Sequence, residues 1–247
     1  MKYNKVYFLH IPKTGGRFLT KYILRPMEET LAKHGIEYLR MPEDMRQHGG
    51  WPFFIDDETY VVSLFREPSE FFVSTVCHAA AGRADLIDKE NWHVIRGENL
   101  NVEKEELFNK LSSWHYMKDF QAHNFALSPD PAAMSVIKEA QFFHDEQKEY
   151  DEELIYDRIN RTNLFIRTDE LKNMDYTLLV KKISEDLGVE LNIDLSGIDK
   201  TYFKNDASKR LFDSLTQSEK DLILENFKLD KKIYENDSLF WNPKTIL

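Results

Sequence analysis

Three short apolar runs punctuate the chain: Val6 to Leu9, Tyr60 to Phe65 and Leu164 to Ile166. They are short, and rich in β-branched and aromatic side chains, which predicts buried strands rather than helices. Ile36 to Leu39 is a candidate fourth strand. Between these runs the apolar spacing changes to a helical period. Phe18, Leu19, Tyr22 and Ile23 form a stripe over 17–24, and Pro26 opens a second helical segment because proline is tolerated in a first turn. Gly35 stands where a helix C′ residue belongs. Pro68 marks the start of another helix, continued by Phe72, Val76, Ala79 and Ala80 and stopped by Gly82.

Residues 42–58 are turn-rich, with Pro42, Gly49, Gly50 and Pro52. Residues 102–160 are mostly helical. Leu107, Leu111 and Trp114 make one stripe; Ile137, Gln141 and His144 make another, after Asp130-Pro131. Leu179, Ile183 and Leu187 predict a helix ending at Gly188. Thr216-Gln217-Ser218-Glu219 is a capping-box pattern opening a helix through Leu222, Ile223 and Phe227. Strands alternating with helices predict an α/β protein with a mainly parallel central sheet, helices on both faces and a helical C-terminal half.

Composition narrows this picture. At 247 residues, 42% of them hydrophobic, the chain is long enough for one domain with a sizeable core. A single cysteine, Cys77, excludes an internal disulfide framework and a cysteine-based zinc cluster. The net charge of −10 argues against a general nucleic-acid or anionic-membrane binder. Residues 1–82 hold ten basic and ten acidic residues, so the deficit lies wholly in 83–247 and an anion site belongs to the N-terminal third. The start of the chain is too short and polar in its apolar stretch for a signal peptide. No apolar run approaches the ~20 residues of a membrane span. The expectation is a soluble, cytoplasmic protein.

The most informative segment is His10-Ile11-Pro12-Lys13-Thr14-Gly15-Gly16-Arg17, with a strand leading in and a helix leading out. Such a loop aims backbone N–H groups at one point beside a helix start, which suits an anion. The glycines let a phosphate approach the backbone. Lys13 adds a point charge and Thr14 a hydroxyl donor. This is not the nucleoside-triphosphate loop G-x-x-x-x-G-K-[ST], because here the lysine precedes the glycines. The plain alternative is a strand–helix turn with a solvated lysine. A second element, Phe65-Arg66-Glu67-Pro68-Ser69-Glu70-Phe71-Phe72-Val73-Ser74, places Arg66 at a strand end and Ser74 about two helical turns on. Arg66 can grip a phosphate bidentately, with Ser74 as a further donor. The alternative for Arg66 is an ion pair with Glu67 or Glu70.

Together the two elements resemble the sulfotransferases that use 3′-phosphoadenosine 5′-phosphosulfate (PAPS), most nearly the heparan 2-O-sulfotransferase-like carbohydrate group. The resemblance implies a P-loop-like three-layer fold and no metal. It assigns Lys13, Thr14, Gly15, Gly16 and Arg17 to the 5′-phosphosulfate, and Arg66 and Ser74 to the 3′-phosphate. Lys118-Asp119-Phe120-Gln121-Ala122-His123-Asn124-Phe125 looks like a degraded D-N-x-Q-x-R-x-L helix of the family. Phe165-Ile166-Arg167-Thr168-Asp169-Glu170-Leu171 resembles its late strand. Lys204-Asn205-Asp206-Ala207-Ser208 resembles a late N-x-S segment, which brings Lys204 to the nucleotide. The chain departs from the family at Arg17 and Phe18, where hydroxyl residues are common, and at Phe71, where an arginine is common. On this pattern 1–82 holds the nucleotide-binding elements, 83–160 is a helical insertion and 161–247 carries the final strand and C-terminal helices.

Sulfuryl transfer to an alcohol needs an aligned donor, stabilisation of charge on the leaving phosphate, and a general base. Lys13 suits the second task. The resemblance points to His48, in Arg46-Gln47-His48-Gly49-Gly50-Trp51, as the base, in a loop expected at the carboxyl ends of the strands; a neutral imidazole is suited to it. A surface-loop histidine is the alternative. His10 is expected to orient the phosphate loop and His78 to be packed, while His115, His123 and Glu70 are further candidates. Trp51, Phe53 and Phe54 are candidates to stack on an acceptor sugar, or equally to anchor the loop. The expected reaction moves a sulfuryl group from PAPS to a hydroxyl acceptor, with a glycan as the candidate acceptor. The competing expectations are a P-loop nucleotide phosphotransferase and a non-catalytic nucleotide- or glycan-binding module.

Overall fold

A computed structural model describes residues 2–39, 50–52, 54–83, 102–114, 117–126, 151–199 and 206–242. Four strands form one all-parallel sheet: β1 (Lys5–Leu9), β2 (Glu37–Leu39), β3 (Thr59–Phe65) and β4 (Leu164–Arg167), in the order β2-β1-β3-β4. Every residue of β3 is buried, as expected of a central parallel strand covered on both faces. Its register runs Lys5 to Thr59 and Leu9 to Ser63 on one side, and Val62 to Leu164 and Phe65 to Arg167 on the other.

The pleat sends alternate side chains into two separate cores. Tyr7, Leu9, Val61, Phe65 and Phe165 point into one. Val6, Phe8, Tyr60, Val62, Leu64, Leu164 and Ile166 point into the other. The first core is closed by α3 (Pro68–Arg83), α4 (Lys104–Ser113), α5 (Phe120–Ala126), α6 (Glu152–Asn160), α9 (Asp206–Ser214), α10 (Gln217–Leu224) and α11 (Lys228–Tyr234). The second is closed by α1 (Gly16–Leu19), α2 (Arg25–Lys33), α7 (Thr168–Asn173) and α8 (Tyr176–Leu187). Helices therefore lie on both faces, in three layers.

Pro26 stands in the first turn of α2, as predicted, but α2 is continuous with the helix before it. A π turn over Thr20–Leu24 joins α1 to α2, with the Arg25 N–H reaching back to the Thr20 carbonyl. The wider turn gives the Pro26 ring room against the preceding carbonyls, so the helix runs on to Lys33. The predicted capping box is present: Thr216 and Glu219 exchange side-chain and backbone hydrogen bonds. The helix it opens ends at Leu224, and Phe227 is buried just ahead of α11. Helix α3 passes Gly82 to end at Arg83. The Ile137, Gln141 and His144 stripe lies outside the described residues. No helix among the described residues is long and apolar enough to cross a membrane.

The strand order positions a site. Chain leaving β1 goes to β2 on one side, whereas chain leaving β3 goes to β4 on the other. The connections diverge beyond the carboxyl ends of β1 and β3, and the crevice between them is where open α/β sheets take ligands.

Candidate anion site at the carboxyl edge of the sheet

The loop after β1 is built from inside. Ile11 is fully buried, and the Thr14 hydroxyl, also fully buried, donates to the Ile11 carbonyl at 2.8 Å. That hydroxyl is thus spent within the loop, and what Thr14 can offer a ligand is its backbone N–H. Lys13 (φ 65°) and Gly15 (φ 92°) are left-handed while the residues between and before them are not. Alternating hand turns successive N–H groups toward one concave side. Gly16 is required by its neighbour: a Cβ there would lie 2.1 Å from Cδ2 of His10. His10 is buried and its ring stacks on Phe8 at 5.1 Å between centroids. The expectation that His10 orients the loop fits this packing. Helical bonding starts with the Phe18 and Leu19 N–H groups on the Gly15 carbonyl; Arg17 is exposed.

Arg66 leaves β3 toward this loop. Its Nη1 donates to the Lys13 carbonyl at 3.1 Å, so the two motifs meet at the switch point. Its Nε and Nη2 both lie 3.2 Å from Oε2 of Glu70, one helical turn on. The ion pair weighed for Arg66 is therefore present. Glu70 also faces Lys172 of α7, at 3.5 Å. Arg66 and Lys172 thus flank one carboxylate, and Arg66 links it to the backbone of Lys13.

Ser74 is buried on α3. Cys77, nearly one turn further, is pushed up to about 11 by burial, against the positive charges of Lys13 and Arg66. Two residues to which sequence reasoning gave no role join the site. Lys172 is one. Thr168 is the other: its buried hydroxyl approaches the Thr14 carbonyl at 2.6 Å and the Phe65 carbonyl at 3.3 Å, tying the loop after β1 to the end of β3. No short motif marks this threonine, because its partners are backbone carbonyls distant in sequence.

Other assignments fall elsewhere. His48 and Lys204, with Arg46 and His115, lie outside the described residues. Trp51 is buried in the first core, near the guanidinium groups of Arg158 and Arg161 at 5.8 and 5.5 Å from its ring centroid. Phe54 packs edge-on against Tyr7, whose hydroxyl donates to the Gly50 carbonyl at 3.1 Å. Trp51 anchors its segment in the core, and the half-buried Phe54 packs against the same core; Phe53 lies outside the described residues. His123 is held down at about 4 by burial and is neutral at pH 7. His78 is exposed. Among the described residues no group of three or more His, Cys, Asp or Glu side chains could hold a metal ion. No family model, no curated protein and no solved structure matches this chain.

Proposed function

We propose that this chain is a PAPS-dependent sulfotransferase that moves a sulfuryl group to a hydroxyl acceptor, with a glycan as the acceptor class. The observation that carries the reading is the hydrogen bond from Arg66 to the Lys13 carbonyl, which joins two anion-binding elements 53 residues apart in the sequence. In this reading the backbone of Lys13, Thr14, Gly15 and Gly16, with the Lys13 and Arg17 side chains, holds the 5′-phosphosulfate. Arg66 and Ser74 hold the 3′-phosphate, and Lys204 joins them from the late segment. The bound donor supplies the sulfuryl group. Lys13 stabilises the charge that grows on the leaving phosphate as the sulfur–oxygen bond breaks. His48 takes the acceptor's proton as the new bond forms.

The Arg66–Glu70 pair favours a second reading, in which Arg66 is purely structural and the loop is an ordinary strand–helix turn. A thermal-shift comparison of 3′,5′-ADP with ATP–Mg²⁺ separates them. Ligand at a hundred times its Kd stabilises by about 2.7 kcal/mol, and that gain from 3′,5′-ADP is expected to vanish in Arg66→Ala. Stronger stabilisation by ATP–Mg²⁺ would point to a phosphotransferase. Equal 3′,5′-ADP shifts in the two proteins would leave Arg66 as a structural ion pair.

A further inference from the structure

Arg66 lies one residue past the last ladder pair of β3, Phe65 with Arg167. At that position a backbone N–H and C=O lose their strand partner. Gln121 of α5, itself fully buried, supplies both replacements. Its Oε1 accepts from the Arg66 N–H at 2.8 Å, and its Nε2 donates to the Arg66 carbonyl at 2.9 Å. One side-chain amide thus closes on both polar groups of one residue, as a neighbouring strand does in a hydrogen-bonded pair.

The amide is itself oriented. Asp230 of α11, fully buried, accepts from the Gln121 N–H at 3.2 Å and from the Ala122 N–H at 2.7 Å. Nε2 of Gln121 stands 3.5 Å from an oxygen of the same carboxyl group, which favours the NH₂ end toward Asp230 and leaves Oε1 for the Arg66 N–H. Asp119 answers from the start of α5 by accepting from the Leu229 and Asp230 N–H groups at 2.7 and 3.1 Å. Two helices that cap each other therefore present one amide to the end of β3.

We infer that Gln121 is a positioning residue of the anion site: it fixes the Arg66 backbone so that the guanidinium emerges over the Lys13–Gly16 loop. The inference rests on the reading of Arg66 as a phosphate ligand. Filling the space is not enough for this role. An apolar side chain of the same length leaves a buried N–H and C=O without partners, and a guanidinium displaced by a fraction of an ångström loses its bidentate grip.

The test is a double-mutant cycle on the full chain, with 3′,5′-ADP as the probe and calorimetric affinity as the readout. Gln121→Met is expected to weaken binding about tenfold, the scale of a lost buried hydrogen bond. It is expected to add nothing in an Arg66→Lys background, where binding is weakened but still measured, because its effect passes through the bidentate guanidinium. Gln121→Asn keeps the amide, drawn back by one methylene, and gives a smaller loss through the same cycle; it carries the test if Gln121→Met does not fold. Unchanged affinity in Gln121→Met and Gln121→Asn, or losses that add to that of Arg66→Lys, would overturn the inference while leaving the nucleotide site standing. A wild-type chain that does not bind 3′,5′-ADP would overturn both.

Discussion

Gly16 shows how one residue type serves two purposes at once. Its sequence context marks it as a glycine that lets an anion approach. The structure adds that the imidazole of His10 occupies the space a side chain would need. His10 cannot swing aside cheaply, because it is buried against Phe8. Gly16→Ala is therefore expected to destabilise the fold by about 1–3 kcal/mol, the range for overpacking. His10→Ala should restore part of that loss in the double variant, read by urea unfolding. Additive losses would mean that the clash lies elsewhere. The same comparison marks what was legible residue by residue. Lys13, Gly15, Gly16 and Arg66 were legible because their chemistry and strand-end positions are local. That the Thr14 hydroxyl turns inward to Ile11, and that Glu70 takes two nitrogens of Arg66, was not settled by sequence, since each depends on a rotamer choice among competing partners. Thr168 and Gln121 lie in segments that the resemblance marks, but their roles were not legible: they serve backbone groups 154 and 55 residues away.

At the scale of elements, the reciprocal caps between α5 and α11 are the least expected feature. Asp119, at a left-handed φ of 47°, caps α11, and Asp230 caps α5. Asp230 is pushed up to about 8 by burial and by the negative charge of Asp119. The sign of its pH dependence follows. Between about pH 4, where an unfolded aspartate titrates, and about 8, the unfolded chain gives up a proton that the folded chain keeps. Stability is then lost as pH rises through that window. His123 acts the other way: its folded value near 4 lies below the unfolded value, so it adds stability as pH rises toward about 6.5. The Asp230 signature is cleanest between about pH 6.5 and 8, where His123 has finished. Urea midpoints are expected to fall across that interval in the wild type and to flatten in Asp230→Asn; an unchanged slope in the variant would remove Asp230 as its source. The strands were legible because apolar β-branched runs are short and bounded, as Tyr60 to Phe65 is. The join between α1 and α2 was not, because Pro26 reads as a boundary unless the π turn that accommodates it is known.

Over the whole molecule the topology and the charge distribution act together. The parallel order β2-β1-β3-β4 puts a crevice of opposed connections where the loop of Lys13, the strand end of Arg66 and Lys172 of α7 come together around Glu70. The parallel sheet with helices on both faces was legible from alternating periodicities; the strand order was not, since it is decided by long-range pairing. Around this edge the chain carries a net charge of −10, all of it contributed by residues 83–247. One nucleotide senses mainly the groups within a Debye length, about 8 Å at physiological salt, so an acidic protein can still hold it. A long polyanion extends well beyond that length and meets the acidic remainder, where each added sulfate is repelled. The chain is therefore expected to pass unretained through a heparin matrix at about 0.15 M salt, while immobilised 3′,5′-ADP retains it and Arg66→Ala abolishes that retention. Release from heparin only at much higher salt would show a basic track that the charge distribution argues against, and would return a highly sulfated glycan to first place as the acceptor.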